Sequence, residues 1–135
     1  MTNNEILAGL IGRTIQKIEG LTRESEEAVF FMDDGGKVTF YHGQDCCEIV
    51  RIEDVCGDAE DLIGSPITQA EEAISEDPTP VDPFSNVKCE IDCEDSQTWT
   101  FYKFATVKGS VTVRWLGQSN GYYSEDVNIS VQRAD

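Results

Sequence analysis

Residues 98–132 read TWTFYKFATVKGSVTVRWLGQSNGYYSEDVNISVQ. Threonine, valine and aromatic residues dominate this run, and apolar residues recur at every second position, the period of a half-buried strand. Gly109 and the pair Asn120-Gly121 punctuate it as turns, so three strands are predicted, over about 97–107, 110–117 and 125–132. Along the middle one, Val111, Val113 and Trp115 point one way, while Ser110, Thr112 and Arg114 point the other. One face suits a core. The other presents a guanidinium beside hydroxyls.

Working towards the amino terminus, EAVFFMDDGGKVTFYHG has two β-rich runs, at 28–32 and 37–42, separated by Asp33-Asp34-Gly35-Gly36. An Asp-Gly step supplies the positive φ of a tight hairpin turn. TIQKIEGL at 14–21 alternates imperfectly and reads as a strand. CCEIVRIEDV reads as a half-buried strand with a kink or bulge, carrying Ile49, Val50, Ile52 and Val55. Two short helices are expected. Asn3 or Asn4 can cap NNEILAGL, and Ser65-Pro66 can open ITQAEEAIS, where Ile67, Ala70, Ala73 and Ile74 would share a helical face. Between these, GDAEDLI resembles a capped helical turn.

Residues 76–96 hold three of the four prolines and seven acids against one lysine. Proline breaks helices and central strands, so 76–86 is expected as a surface excursion, with a short edge strand near 87–91. The fold class expected is therefore α+β: a single domain over 1–135, with an antiparallel sheet of about six strands, two short helices and an acidic Pro-rich loop.

The chain has 135 residues and a formal net charge of -16. At this length a domain buries roughly two-thirds of its unfolded surface, so it needs no staples. No apolar run approaches the ~18 residues of a membrane span, and the first residues lack the basic start and cleavage site of a secretory signal. A cytoplasmic protein is expected, without a membrane role. Duplex nucleic acid is excluded as a partner, because that affinity depends on Lys and Arg meeting phosphates. The five cysteines, 46, 47, 56, 89 and 93, are an odd number with no export signal, so reduced thiols are expected.

Charge is uneven along the chain. Residues 45–77 carry eleven acids and one base, whereas 97–124 carry no acid and three bases, Lys103, Lys108 and Arg114, among seven aromatic residues. A planar guanidinium near tyrosines suits a small anionic, nucleotide-like ligand, with phosphate paired to the charge and the base stacked. The candidate ligand-binding set is Arg114, Lys103, Tyr102, Thr112, Tyr122 and Asn120, expected at a subunit interface of a homo-oligomer. The competing reading of Arg114 is an ion pair with an acidic neighbour, and strand aromatics commonly belong to a core.

The stretch YHGQDCCE gathers the only histidine, two adjacent cysteines and two carboxylates. Cys46 and Cys47 would point to opposite faces of a strand, so at most one thiol could join His42 and Asp45 around a metal. A Cys-His nucleophile would need a lowered thiol pKa, against the trend set by surrounding acids. Structural packing is the first reading, and a metal site at His42, Asp45 and Cys46 the second. No paired-carboxylate, P-loop, nucleophile-elbow or dinucleotide pattern is present, so no enzyme and no cofactor are expected.

The blocks HxQDCCE, GDxxDLIGSPI, WTFYKFAT and GxSNGYYSE, spread over residues 10–75 and 97–128, resemble a family of small bacteriophage and prophage proteins without an assigned activity. The cysteine-bearing stretch at 78–95 departs from the family's shorter connector, leaving Cys89 and Cys93 without an implied role. The resemblance implies a phage origin, expression in the cytoplasm of the bacterial host and an accessory role. Two binding roles follow by analogy: sequestering a nucleotide-derived signal of host defence through the acid-free window, or imitating DNA to capture a basic host protein through the acidic segments.

Overall fold

A computed structural model describes residues 2–44, 47–77, 79–84, 88–89, 96–121 and 123–133. The chain is mostly β. It forms two four-stranded antiparallel sheets, with one short helix, α1 (Asn3–Ala8), and one 3-10 turn (Ala59–Leu62). The strands are β1 (Ile15–Glu19), β2 (Glu27–Met32), β3 (Lys37–Tyr41), β4 (Ile49–Cys56), β5 (Gln69–Ser75), β6 (Ser96–Thr106), β7 (Gly109–Ser119) and β8 (Asn128–Gln132). The first sheet runs β1-β2-β3-β8 and the second β4-β7-β6-β5.

This corrects the expected α+β fold of six strands and two helices. The second expected helix is strand β5, paired residue for residue with β6 from Gln69↔Ala105 to Ser75↔Trp99. Its apolar spacing follows the helical period, and the long strand β6 overrides it by offering a full ladder to a neighbour. The first helix forms, capped by the Thr2 hydroxyl, which accepts from the Glu5 N–H, rather than by Asn3 or Asn4. The hairpin at Asp33–Gly36 forms as expected, with Met32 N–H bonded to Gly36 O. Of the expected edge strand at 87–91, only residues 88 and 89 are described, and Lys88 bridges Val81.

The sheets pack face to face. Phe30, Val38 and Phe40 from the first meet Ile52, Tyr102, Phe104, Val113 and Trp115 from the second in one buried cluster, closed at its margins by Leu7, Leu10 and Leu62. Edge-on ring contacts join Phe30 and Phe40 to Tyr102 and Phe104 across the layers, at centroid separations of 5.1 to 5.6 Å. The chain passes between sheets twice, from β3 to β4 and from β7 to β8.

The outer face of the second sheet has its own smaller cluster, in which Trp99, Phe101 and Leu116 meet Cys89, Phe84 and Ala73. The Pro-rich excursion thus folds back as cover. Cys89 N–H donates to Pro80 O, closing the excursion on itself.

Candidate functional site

Arg114 projects from β7 onto that outer face, as the alternation predicts, and is only 4% exposed. Its Nε donates to Asp82 Oδ2 and its Nη1 to Asp54 Oδ2, both at 2.7 Å. Asp82 is fully buried and comes from the excursion. Asp54 arrives by a different device. The register of β4 on β7 shifts between Ile52 and Asp54, so Glu53 is the extra residue of a bulge. The shift sets Asp54 opposite Arg114 and Cys56 opposite Thr112, while Val55 stays on the inner side.

Cys56 Sγ lies 3.1 Å from Arg114 Nη1. Burial raises the pKa of both Cys56 and Cys89, against the pull of the nearby guanidinium, so neither thiol is activated as a nucleophile. Burial also disfavours a charged guanidinium, yet the hydrogen bond to Asp82 and the surrounding negative groups outweigh it and raise the Arg114 pKa. A cleft of about 270 Å³ opens beside this cluster, lined by Arg23, Glu53, Asp54, Lys88, Trp99 and Arg114, among others. The buried Nε1 of Trp99 has no hydrogen-bond acceptor among the described residues.

The residues singled out with Arg114 are dispersed. Tyr102 points to the opposite side, into the inter-sheet core, where its hydroxyl donates to Glu72 Oε2 at 2.6 Å. Lys103 and Thr112 are cross-strand partners sharing the outer face with Arg114, Thr112 being buried. Asn120 is exposed just beyond the end of β7. Tyr122, Asp45, Cys46 and Cys93 lie outside the described residues. The structure therefore unites Arg114 with Thr112 and Lys103 on one face and separates it from Tyr102. Sequence reading missed Asp82 and Asp54, whose only signal was a lone arginine in an acid-free window needing counter-charge.

His42 belongs to a second buried network. Its Nδ1 donates to the carbonyl of Asp126 at 2.6 Å, and its Nε2 lies 2.9 Å from Glu48 Oε2. The side chains of His42 and Glu48 are 4% and 0% exposed. Because a carbonyl can only accept, Nδ1 is the donor to Asp126, and Nε2 faces the Glu48 carboxylate. Gln44 Nε2 donates to both the backbone carbonyl and Oε1 of Glu48. Both ring nitrogens thus already face a partner within the protein. Glu125, next to Asp126, accepts from Thr98 Oγ1 at 2.7 Å and Ser119 Oγ at 2.5 Å. Residues 125 and 126 thereby tie the second crossover to one sheet through Glu125 and to the first crossover through His42. Gly117 belongs to the same joint, since a Cβ there would lie 2.5 Å from Glu125 O.

Cys47 is disulfide-bonded, which corrects the expectation of reduced thiols throughout; an odd cysteine count does not prevent one pair from meeting in space. It also precedes β4 rather than lying within a strand. Cys56 and Cys89 are free. Among the described residues, no three of His, Cys, Asp and Glu gather as a metal site, and no helix is long and apolar enough to cross a membrane. A larger groove of about 750 Å³ lies between α1 and β8, walled by Ile6, Leu10, Arg13, Asp34, Val131 and Arg133, and contains none of the residues singled out above. The Gly36 N–H, and then Arg13, hold the Asp34 carboxyl below its usual range.

No curated protein and no solved structure matches this chain. Residues 8–129 match the family described as a domain of unknown function, DUF7448, and the chain belongs to that family.

Proposed function

We propose that this protein is a non-enzymatic binding protein that offers a carboxylate-rich surface to a basic protein partner, as an accessory protein of a bacteriophage acting in the host cytoplasm. The observation that carries this reading is the disposition of charge. The chain has 26 acids against 10 Lys and Arg. Five of those cations, Arg13, Lys17, Arg23, Arg51 and Arg114, already have a carboxylate within ion-pair distance. The loop after β1 lies along the free edge of β4, with Glu24 N–H bonded to Ile52 O and Ile52 N–H to Ser25 O. Glu24 therefore sits beside the strand that carries Glu53 and Asp54, and Glu26 and Glu27 follow it exposed. Such a field steers a cationic surface and discriminates against anionic ones.

Sequestration of a nucleotide-like anion finds less support, because the Arg114 donors are occupied by Asp82 and Asp54 and Tyr102 faces the other way. The test is retention, on immobilised protein, of those bacterial lysate proteins that also bind a cation exchanger. The expected outcome is a discrete basic protein released steeply by added salt and lost in the triple variant Glu24→Lys, Glu26→Lys, Glu27→Lys. Retention indifferent to salt and to the triple variant would overturn the reading.

A further inference from the structure

Four strands stand at sheet edges, and three of them are protected within the chain. The free side of β4 is occupied by the backbone of Glu24 and Ser25. β5 is plugged by the side chain of Asn4, whose Nδ2 donates to Glu72 O while its Oδ1 accepts from Glu72 N–H, an amide standing in for a neighbouring strand. β1 is contacted at Ile15 by Ile63 and Gly64, is bulged, and carries Lys17 and Glu19. These are the usual means by which proteins prevent edge-to-edge pairing.

β8 itself has none of them; the nearest is just before it, where Asn3 Nδ2 donates to the Val127 carbonyl. It reads NISVQ, without charge or proline in a chain of net charge -16, and is exposed at four of five positions. Its hydrogen-bond directions follow from the ladder. Met32 N–H bonds Gly36 O, so alternation turns the backbone of Val38 and Phe40 towards β2 and that of Lys37, Thr39 and Tyr41 towards β8. Their partners Gln132, Ser130 and Asn128 are thereby engaged, and the N–H and C=O groups of Ile129 and Val131 point outward with no partner among the described residues.

We propose that β8 pairs antiparallel with β8 of a second copy of this chain, joining the two first sheets into one of eight strands across a two-fold axis at Ser130. The strand is complementary to itself in that register. Ile129 falls opposite Val131 of the second copy and Asn128 opposite Gln132, apolar against apolar and amide against amide. The hydrogen-bonded pairs are then the two Ile129–Val131 pairs, which use the outward groups just described. Val131, 41% exposed in the single chain, gains cover. A second copy fits this edge better than a basic partner does, because the edge offers no carboxylate within β8.

Sedimentation equilibrium of the full chain tests this, with the wild type at low and high salt beside the variants Val131→Pro and Ser130→Lys. Proline at 131 removes an N–H that β3 does not use, and paired lysines at 130 would face each other across the axis. Dimers are expected that strengthen with salt, as repulsion between two anionic bodies is screened, and that weaken at least about tenfold in either variant. This salt trend is opposite to that expected for capture of a basic partner, so the two readings fail separately. A third variant, Ser130→Cys, is expected to cross-link 130 to 130 under a mild oxidant, since Cα atoms of a non-hydrogen-bonded pair lie ~4.5 Å apart, within disulfide reach. A wild type that stays monomeric at high salt, or dimers indifferent to both Val131→Pro and Ser130→Lys, would overturn the proposal.

Discussion

The two faces of β6 and β7 are closed by different means. Inward, Tyr102, Phe104, Val113 and Trp115 are covered by a second sheet, through contacts that depend on shape and area. Outward, Trp99, Phe101 and Leu116 meet Phe84 and Cys89 of a short excursion, which a buried ion pair, Arg114 with Asp82, helps to fasten to the strand. Apolar cover is non-directional, whereas a buried charge is stable only with its partner in place. The same two strands therefore carry one face whose cover is apolar throughout and one whose cover combines apolar contacts with a buried ion pair.

The largest effect should come from the inner face. Trp115→Ala is expected to destabilise the whole protein by about 3–5 kcal/mol, measured by urea unfolding, because the cavity it leaves is shared by both sheets. A loss below about 1 kcal/mol would show that the inner face is not the main source of stability.

Next in size, Asp82→Ala should cost about 3 kcal/mol, since it takes from a buried guanidinium its fully buried carboxylate partner. The double variant Asp82→Leu, Arg114→Met should recover most of that, because apolar replacement of a buried pair is often neutral. If the double variant is no better than the single one, the pair contributes more than fastening, and the contrast between faces weakens.

The smallest effect is also the most specific. Burial, and then the neighbouring Glu72, raise the pKa of Tyr102 above its ordinary value of 10.0. A group whose folded pKa is raised lends stability that is complete below the unfolded value and is lost as pH rises past it. Wild-type stability should therefore fall above about pH 10, with Tyr102→Phe costing about 1 kcal/mol at neutral pH and flattening that alkaline fall. Parallel alkaline curves for the two proteins would remove Tyr102 as its source.

Where the sequence was legible, one period dominated. The strands of the last third, the Asp-Gly hairpin and the bulge in β4 all come from alternation and turn chemistry within a few residues. β5 was not legible, because Ile67, Ala70, Ala73 and Ile74 follow the helical period, and its pairing with β6 overrode it. Alternation also shows which side of a strand is apolar without showing which sheet the strand joins, so two sheets were read as one. At the site, Arg114 was placed on the correct face, and an ion pair was the competing reading. Its partners lie 32 and 60 positions away, beyond any local pattern. His42 meets a backbone carbonyl 84 positions on, and a carbonyl leaves no mark on composition.

The joint at residues 125 and 126 has a temporal side. β8 comes after both crossovers in the chain yet completes the edge of the sheet begun by β1, β2 and β3. During synthesis on a ribosome, those early strands must wait with one rim of Lys37, Thr39 and Tyr41 unpaired, and the imidazole of His42 lacks its carbonyl, until residues 126–132 have emerged. Contacts so distant along the chain make folding slow and late. The rim of β3 thus stays open to wrong partners until β8 has been made.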